Sequence, residues 1–413
     1  MNKNKDFSLL IITAMFFAGI FTAKISGVPV KQVMQNYSYD VLVILIIMEL
    51  FTGLVAQTGI MQKIAVSIVS KSEGMRRPCL IMFCAAMFAI SACLNNITAV
   101  MMILPVIFVF MKAVDVDEKF ICTFFAAILA LSNTGGAASP IGDFPAIVIM
   151  TSGITSFTGY LWRALLLFGV TSAVLTAVYS RAVSGNESGE SMRRLAVLNL
   201  KSQYKNCGMR KDVLYGLMII FGLMFIAWSL NIFPPEIVAV LGYSIALLFC
   251  VMKGVKIVMC MDMKSLLTIA SFLFFAETVS QTGLLHVMAG YLQNNITNPK
   301  LLVSVIMVIT SLCAGIFSAG PAAAAMMAVV IELCRGSLAH NSDWIAVSYA
   351  AAICAGSSLF MWSATAGFIL SEKVSEAHIG NNMRWSVRHY FRYGIMNYIV
   401  QMSIALVAAN LFI

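Results

Sequence analysis

Asn133, Thr134 and Asp143 lie inside the run Ser132 to Ala146, SNTGGAASPIGDFPA, which interrupts a segment otherwise apolar enough to be lipid-buried helix. The run also holds three Gly and two Pro, which favour unwinding and remove backbone donors. Backbone groups released at membrane depth survive only where protein buries them or where they line a wet cavity. Broken helices of this kind are where transporters bind ions and solutes, so Ser132, Asn133, Thr134, Gly135 and Asp143 are candidate ligands. Asp143 has two readings: a carboxylate that couples an ion, or an N-cap for the second half of the broken helix.

A second polar tip stands at Asn95-Asn96-Ile97-Thr98, with Pro105 beyond it. Amide, hydroxyl and carbonyl oxygens at such a tip, Asn95, Asn96 and Thr98 among them, can coordinate a cation. The helix start that follows offers free N–H groups to an anion. A lone Asn in a membrane bundle more often hydrogen-bonds a neighbouring helix. Here the pattern repeats. Gln57-Thr58-Gly59-Ile60 meets Gln281-Thr282-Gly283-Leu284 at an offset of 224 residues, and in the same register LNNITAVMM meets FSAGPAAAAMM and the SNTGG run meets GSSLFMWSATAG. The second copy adds Ser318, Gly320, Ser357, Ser358, Ser363 and Thr365 to the candidate set. Two more acids, Glu49 and Glu277, fall in apolar stretches, where each needs a partner or water. They are 228 residues apart and so are not repeat equivalents. Glu277, one helical turn before Gln281, is the better of the two for ion coupling beside Asp143.

The elements that must position these residues are helices in a bilayer. At 60% hydrophobic and 11% charged, the chain is expected to be an all-α polytopic membrane protein. Full spans are expected near 7–23, 41–62, 119–150, 160–181, 213–231, 235–252, 265–285, 343–370 and 391–412, nine in all, with re-entrant hairpins at 78–111 and 301–334. On this reading 22 of the 27 Lys and Arg lie on one side, which places the N-terminus in the cytoplasm by the positive-inside rule. That bias accounts for the net charge of +9 without nucleic acid. The segments before the two hairpins then run in opposite directions, so the repeats are inverted and share a site near the midplane. The expected divisions are an N-terminal helix and external loop (1–40), a first repeat (41–180), a cytoplasmic linker (181–212), connecting helices (213–264), a second repeat (265–372) and a cytoplasmic loop with a C-terminal helix (373–413). The basic N-terminus lacks a small-residue cleavage site and is read as a retained helix in a plasma or bacterial inner membrane.

Other chemistries find little support. The ten Cys show no CxxC pair or framework spacing and read as small buried hydrophobes. The four His, at 286, 340, 378 and 389, fall near span ends or in loops, which argues against a midplane proton relay. No Walker loop, HExxH or nucleophile elbow is present, so neither ATP hydrolysis nor covalent catalysis is expected, and the chain is not read as an enzyme. No cofactor is expected beyond a sodium ion at a coupling site.

The tip Leu94-Asn95-Asn96-Ile97-Thr98-Ala99-Val100 resembles an L-D-N-V-T-x-V motif, and Ser132 to Asp143 resembles S/A-N-x-G-G-x-A-x-x-I-G-D. Both motifs are those of the citrate-transporter-like branch of the ion transporter superfamily, which includes arsenite permeases, NhaD-type sodium/proton antiporters and the pink-eyed dilution protein. The resemblance implies scaffold and transport subdomains, elevator-like alternating access and a homodimer. Two departures stand out: Asn95 replaces the branch's usual Asp, and Ser318-Ala319 replaces a second Asp-Asn pair. An exchanger needs a titratable group that competes for its cation, so these losses weigh against the antiporter reading. The leading expectation is a secondary active transporter of a small anion, an organic carboxylate or inorganic oxyanion, coupled to sodium or protons. The alternative is a sodium/proton antiporter using Asp143 or Glu277, and a channel or receptor on the same fold is a more distant class.

Overall fold

The protein is described by a computed structural model covering residues 3–114, 116–183, 189–205, 208–255, 257, 263–335, 338–364, 366–377, 379 and 385–413. Thr365 and His378, and parts of the expected linker and connecting segments, lie outside the described residues. In chain order the helices are α1 (Lys3–Ile25), α2 (Val30–Gln35), α3 (Tyr39–Ala56), α4 (Ile60–Lys71), α5 (Arg76–Ser91), α6 (Asn96–Val114), α7 (Glu118–Ala137), α8 (Phe144–Thr151), α9 (Phe157–Ala182) and α10 (Glu190–Gln203). They continue as α11 (Lys211–Ser229), α12 (Pro235–Met252), α13 (Met263–Gln281), α14 (Leu284–Asn295), α15 (Pro299–Phe317), α16 (Ala319–Arg335), α17 (Ser342–Ser357), α18 (Gly367–Glu376) and α19 (Val387–Phe412). No strand occurs among the described residues.

Eight of these helices are long and apolar enough to cross a bilayer: α3, α6, α7, α9, α11, α12, α15 and α19. Their membership differs from the nine expected spans. The expected span 41–62 ends at Ala56, because Gly59 adopts φ +76° and starts α4 in a new direction. A residue with a Cβ would be strained there, so the turn depends on glycine. The expected span 265–285 likewise ends at Gln281, where Gly283 at φ +75° starts α14. The expected span 343–370 is divided into α17 and α18, neither long enough to cross. Conversely α6 and α15, expected as hairpin arms, each run 19 residues, a length of about 28 Å that matches a hydrocarbon core.

Helix bounds recur at the offset seen in the sequence. The first residues of α3 and α13, and of α4 and α14, are 224 apart, as are Gly59 and Gly283 with their matching φ. Packing follows the same correspondence. α5 lies on α7 and α15 on α17, α7 packs on α9 and α17 on α19, and α7 meets α17 where the two sets join. The innermost element is α7, whose residues from Phe120 to Ala137 are all buried. Such burial on every side explains a helix with little polar-face periodicity.

Candidate functional site

The α5–α6 connection brings the first set of polar groups inward. Asn95 Oδ1 accepts hydrogen bonds from the N–H groups of Ile97 at 2.9 Å and Thr98 at 3.4 Å, so this side chain caps α6. Its own N–H donates to Thr52 Oγ1 at 3.3 Å. Asn96, the next residue, is only 1% exposed, and neither atom of its amide has a partner among the described residues. Thr98 sits half-buried in the first turn of α6. Adjacent Asn residues thus divide the work, one ending a helix and the other left with its full donor and acceptor capacity in the interior.

The break in α7 is shorter than its glycines imply. Ser132 to Ala137 remain helical, and the chain leaves the helix only at 138–143 before α8 begins. Gly135 and Gly136 serve close approach instead of unwinding. A Cβ at Gly135 would lie 2.5 Å from the Phe88 carbonyl oxygen, and one at Gly136 would lie 2.6 Å from Asn96 Nδ2 and 2.9 Å from Asp143 Cβ. Only glycine lets α5, the start of α6 and the start of α8 crowd the end of α7. Thr134 spends its hydroxyl on the Ala130 and Leu131 carbonyls, whereas Ser132 Oγ and Asn133 Oδ1 are buried without partners among the described residues. Asp143 is the N-cap of α8, with its carboxylate accepting from Phe144 N at 2.9 Å. The capping reading therefore has direct geometry, and the same carboxylate also faces a small cavity.

That cavity, of about 10 Å³, is lined by Asn133, Asp143, Ala319, Cys354 and Ser357 among others. It is the size of about one water or bare ion. Beside it, Asn133 Nδ2 donates to Ser358 Oγ at 3.4 Å, joining the end of α7 to the turn after α17. Ser357 donates to the Cys354 carbonyl at 3.1 Å, and Ser363 ties the turn together by donating to the carbonyls of Ser357 at 3.0 Å and Phe360 at 2.8 Å. Ser318 links α15 to α16 at φ +90°, a conformation costly for a side chain with a Cβ. Gly320 brings α16 against α8, since a Cβ there would lie 3.1 Å from Phe144 Cδ1. Glu277 belongs to a different network. It accepts from Gln281 Nε2 at 2.6 Å, and Gln281 in turn accepts from Gln32 at 2.9 Å.

Several positioning residues were not singled out from the sequence. Tyr160 donates to the Ala137 carbonyl at 2.8 Å, satisfying an orphan acceptor at the end of α7. Tyr390 does the same for the Ser358 carbonyl at 2.8 Å. Behind Tyr390, Asn397 donates to its hydroxyl at 3.4 Å and accepts from Tyr179 at 2.8 Å. This fully buried chain runs from α9 through α19 to the second break. Ser91, buried with an unpartnered hydroxyl, lies nearby, as its carbonyl would be 2.8 Å from a Cβ at Gly142. These tertiary pairings leave no local signature, and a buried Tyr or Ser in an apolar helix reads as packing.

What converges is a set of buried, mostly neutral oxygens and amide groups at two helix interruptions, with one carboxylate and no Lys or Arg among the cavity's lining residues. Such a set can ligate a hard cation or hydrogen-bond an anion's oxygens. Comparison with known proteins agrees with a transport role. The chain is similar to the 46 kDa membrane protein of Mycobacterium leprae, 23% identical over 304 residues that cover 71% of this chain and 68% of that protein. It is similar to magnetosome protein MamN of Magnetospirillum gryphiswaldense, 22% identical over 379 residues, 88% of this chain and 85% of that one. A shorter match, 27% identical over 121 residues, covers 29% of this chain and 14% of the P protein of Sus scrofa. The citrate transporter family matches residues 4–354, and with a match over most of its length the chain belongs to that family of membrane transporters.

Proposed function

We propose that this protein is a secondary active transporter of a small anion, an organic carboxylate or inorganic oxyanion, coupled to sodium or protons. The observation that carries the proposal is the group of buried polar atoms on Ser91, Asn96, Ser132 and Asn133, around the end of α7, that have no partner among the described residues. A buried amide with no partner costs about 1–3 kcal/mol, a penalty a ligand relieves when it binds. The family's description as citrate transporters points to a carboxylate. Among the described residues no cationic side chain lines the cavity, so a co-bound sodium ion supplies the positive charge that a carboxylate needs in a low-dielectric site. Asn96, Asn133 and nearby carbonyls are its natural ligands, and Ser357, Ser358 and the start of α8 face the anion. The two sets of helices act as inverted repeats, α5–α6 and α15–α16 turn back as re-entrant hairpins although α6 and α15 are each long enough to cross, and a homodimer carries out elevator-like alternating access.

A second reading is favoured by one observation: among the described residues, Asp143 is the one carboxylate on the cavity wall. As a titratable group beside Asn133 it suits sodium/proton antiport. Proteoliposomes separate the two. An inward sodium or proton gradient should drive uptake of labelled citrate, succinate, phosphate or arsenate under the first reading. Sodium-driven alkalinisation or acidification of the lumen with no solute uptake would favour the second.

A further inference from the structure

The helix α10 lies between two membrane-crossing helices, and with 14 residues it is too short to cross a bilayer itself. Seven residues join it to α9 and seven to α11, and its inner face is packed on α4 and α6. The contact is close. A Cβ at Gly74, in the α4–α5 turn, would lie 3.4 Å from Arg193 Cβ, 3.5 Å from the Phe110 ring and 3.7 Å from Val197 Cγ2. Ala196 and Leu200 complete this buried face.

A second apolar stripe is left outside. Met192, Leu195 and Leu198, spaced three apart on one side of the helix, are 46%, 60% and 60% exposed. Beside that stripe run Arg194 and Lys201, with Lys205 just past the helix, all exposed, and Arg181 is exposed at the end of α9. Glu190, paired with Arg194 at 2.6 Å, is the one acid among the described residues from 181 to 205. A helix with an apolar face, flanking cations and both ends tethered to transmembrane helices has the features of an interfacial helix. We propose that α10 lies in the bilayer surface, inserts Met192, Leu195 and Leu198 among the acyl chains and draws anionic phospholipid headgroups to Arg181, Arg194, Lys201 and Lys205. Charge complementarity selects this occupant: a basic surface bordering an apolar stripe fits an anionic leaflet better than a second copy of the same basic surface.

The proposal goes beyond the transport reading and can fail independently of it. The test uses the full-length Leu195→Trp protein, altered at an exposed position, in vesicles of phosphatidylcholine alone or mixed with phosphatidylglycerol, each with and without acyl-chain bromination. Its emission is read as the difference from the wild type. The expected result is a blue-shifted signal that brominated lipid quenches, more strongly in the mixed vesicles, with that extra quenching lost in Arg194→Gln/Lys201→Gln. Emission typical of a water-exposed Trp, unchanged by bromination, overturns the proposal. So does a blue-shifted signal that brominated lipid leaves alone and that depends on protein density, which would put a second copy on the stripe. Equal quenching in both vesicle types overturns the preference for anionic lipid.

Discussion

Replacing Asn96 by Ala should separate function from stability. Asn96 is 1% exposed, and both atoms of its amide lack partners among the described residues. Burying such a group costs about 1–3 kcal/mol, and truncation removes that penalty while giving up packing of similar size. The two effects nearly cancel, so purified Asn96→Ala should melt within a few degrees of the wild type when no ligand is added. Its effect on binding is of a different order. An interaction with a charged ligand contributes about 1.5–3 kcal/mol, so losing the amide should weaken ligand or ion affinity about ten- to hundredfold. The assay is a thermal-shift titration with carboxylates and sodium, followed by uptake in proteoliposomes. Binding raises the melting point by mass action, so a weakened site gives a smaller shift at each concentration. Wild-type titration and uptake would refute the assignment. A protein that melts far below the wild type would make Asn96 a packing residue instead.

Asn95→Ala should show the opposite pattern, losing about 0.5–2 kcal/mol of stability as α6 loses its cap, while Asn95→Asp melts close to the wild type; equal melting of all three proteins in a thermal scan would contradict the capping role. Tyr390→Phe should lower stability by about 1–3 kcal/mol by stranding the Ser358 carbonyl and the Asn397 amide, seen as a lower denaturant midpoint. Asp143→Asn keeps an acceptor for the α8 cap, so a coupling role predicts near-normal melting with altered sodium or pH dependence of uptake. Unchanged dependence on both would confine Asp143 to capping. In a cysteine-free background, single cysteines at Lys205 and Asn295 should react with an impermeant reagent from opposite faces of the membrane, and labelling of both from one face would contradict inverted repeats.

Much of this arrangement was legible in the sequence because it is local. The register of 224 residues could be read from two QTG tripeptides, and it recurs as a pair of left-handed glycines that redirect the chain at matching points. The polar breaks stood out because Asn, Ser and Asp have no cause to sit in lipid-buried helix without partners. Their extent was less legible. Glycines such as Gly135 and Gly136 signal either unwinding or close approach, and only the neighbours supplied by α5, α6 and α8 decide between the two. The division of labour between Asn95 and Asn96 was hidden for the same reason, since a step of one residue at the start of a helix sends identical side chains to different surroundings. The supports that Tyr160, Tyr390 and Tyr179 give to Ala137, Ser358 and Asn397 join residues 23 to 218 positions apart and leave no trace in spacing.

The most direct test of the central claim is solute counterflow in proteoliposomes preloaded with one unlabelled anion and given the same anion, labelled, outside, with no ion gradient. Citrate is the first solute to try. A carrier with its site at the meeting of the two breaks predicts transient accumulation of label in the wild type and none in Asn133→Ala, which loses its bridge to Ser358. Counterflow that persists at the wild-type rate in Asn133→Ala would contradict the placement of the site. Its absence in the wild type for every carboxylate and oxyanion tried would contradict transport of a small anion.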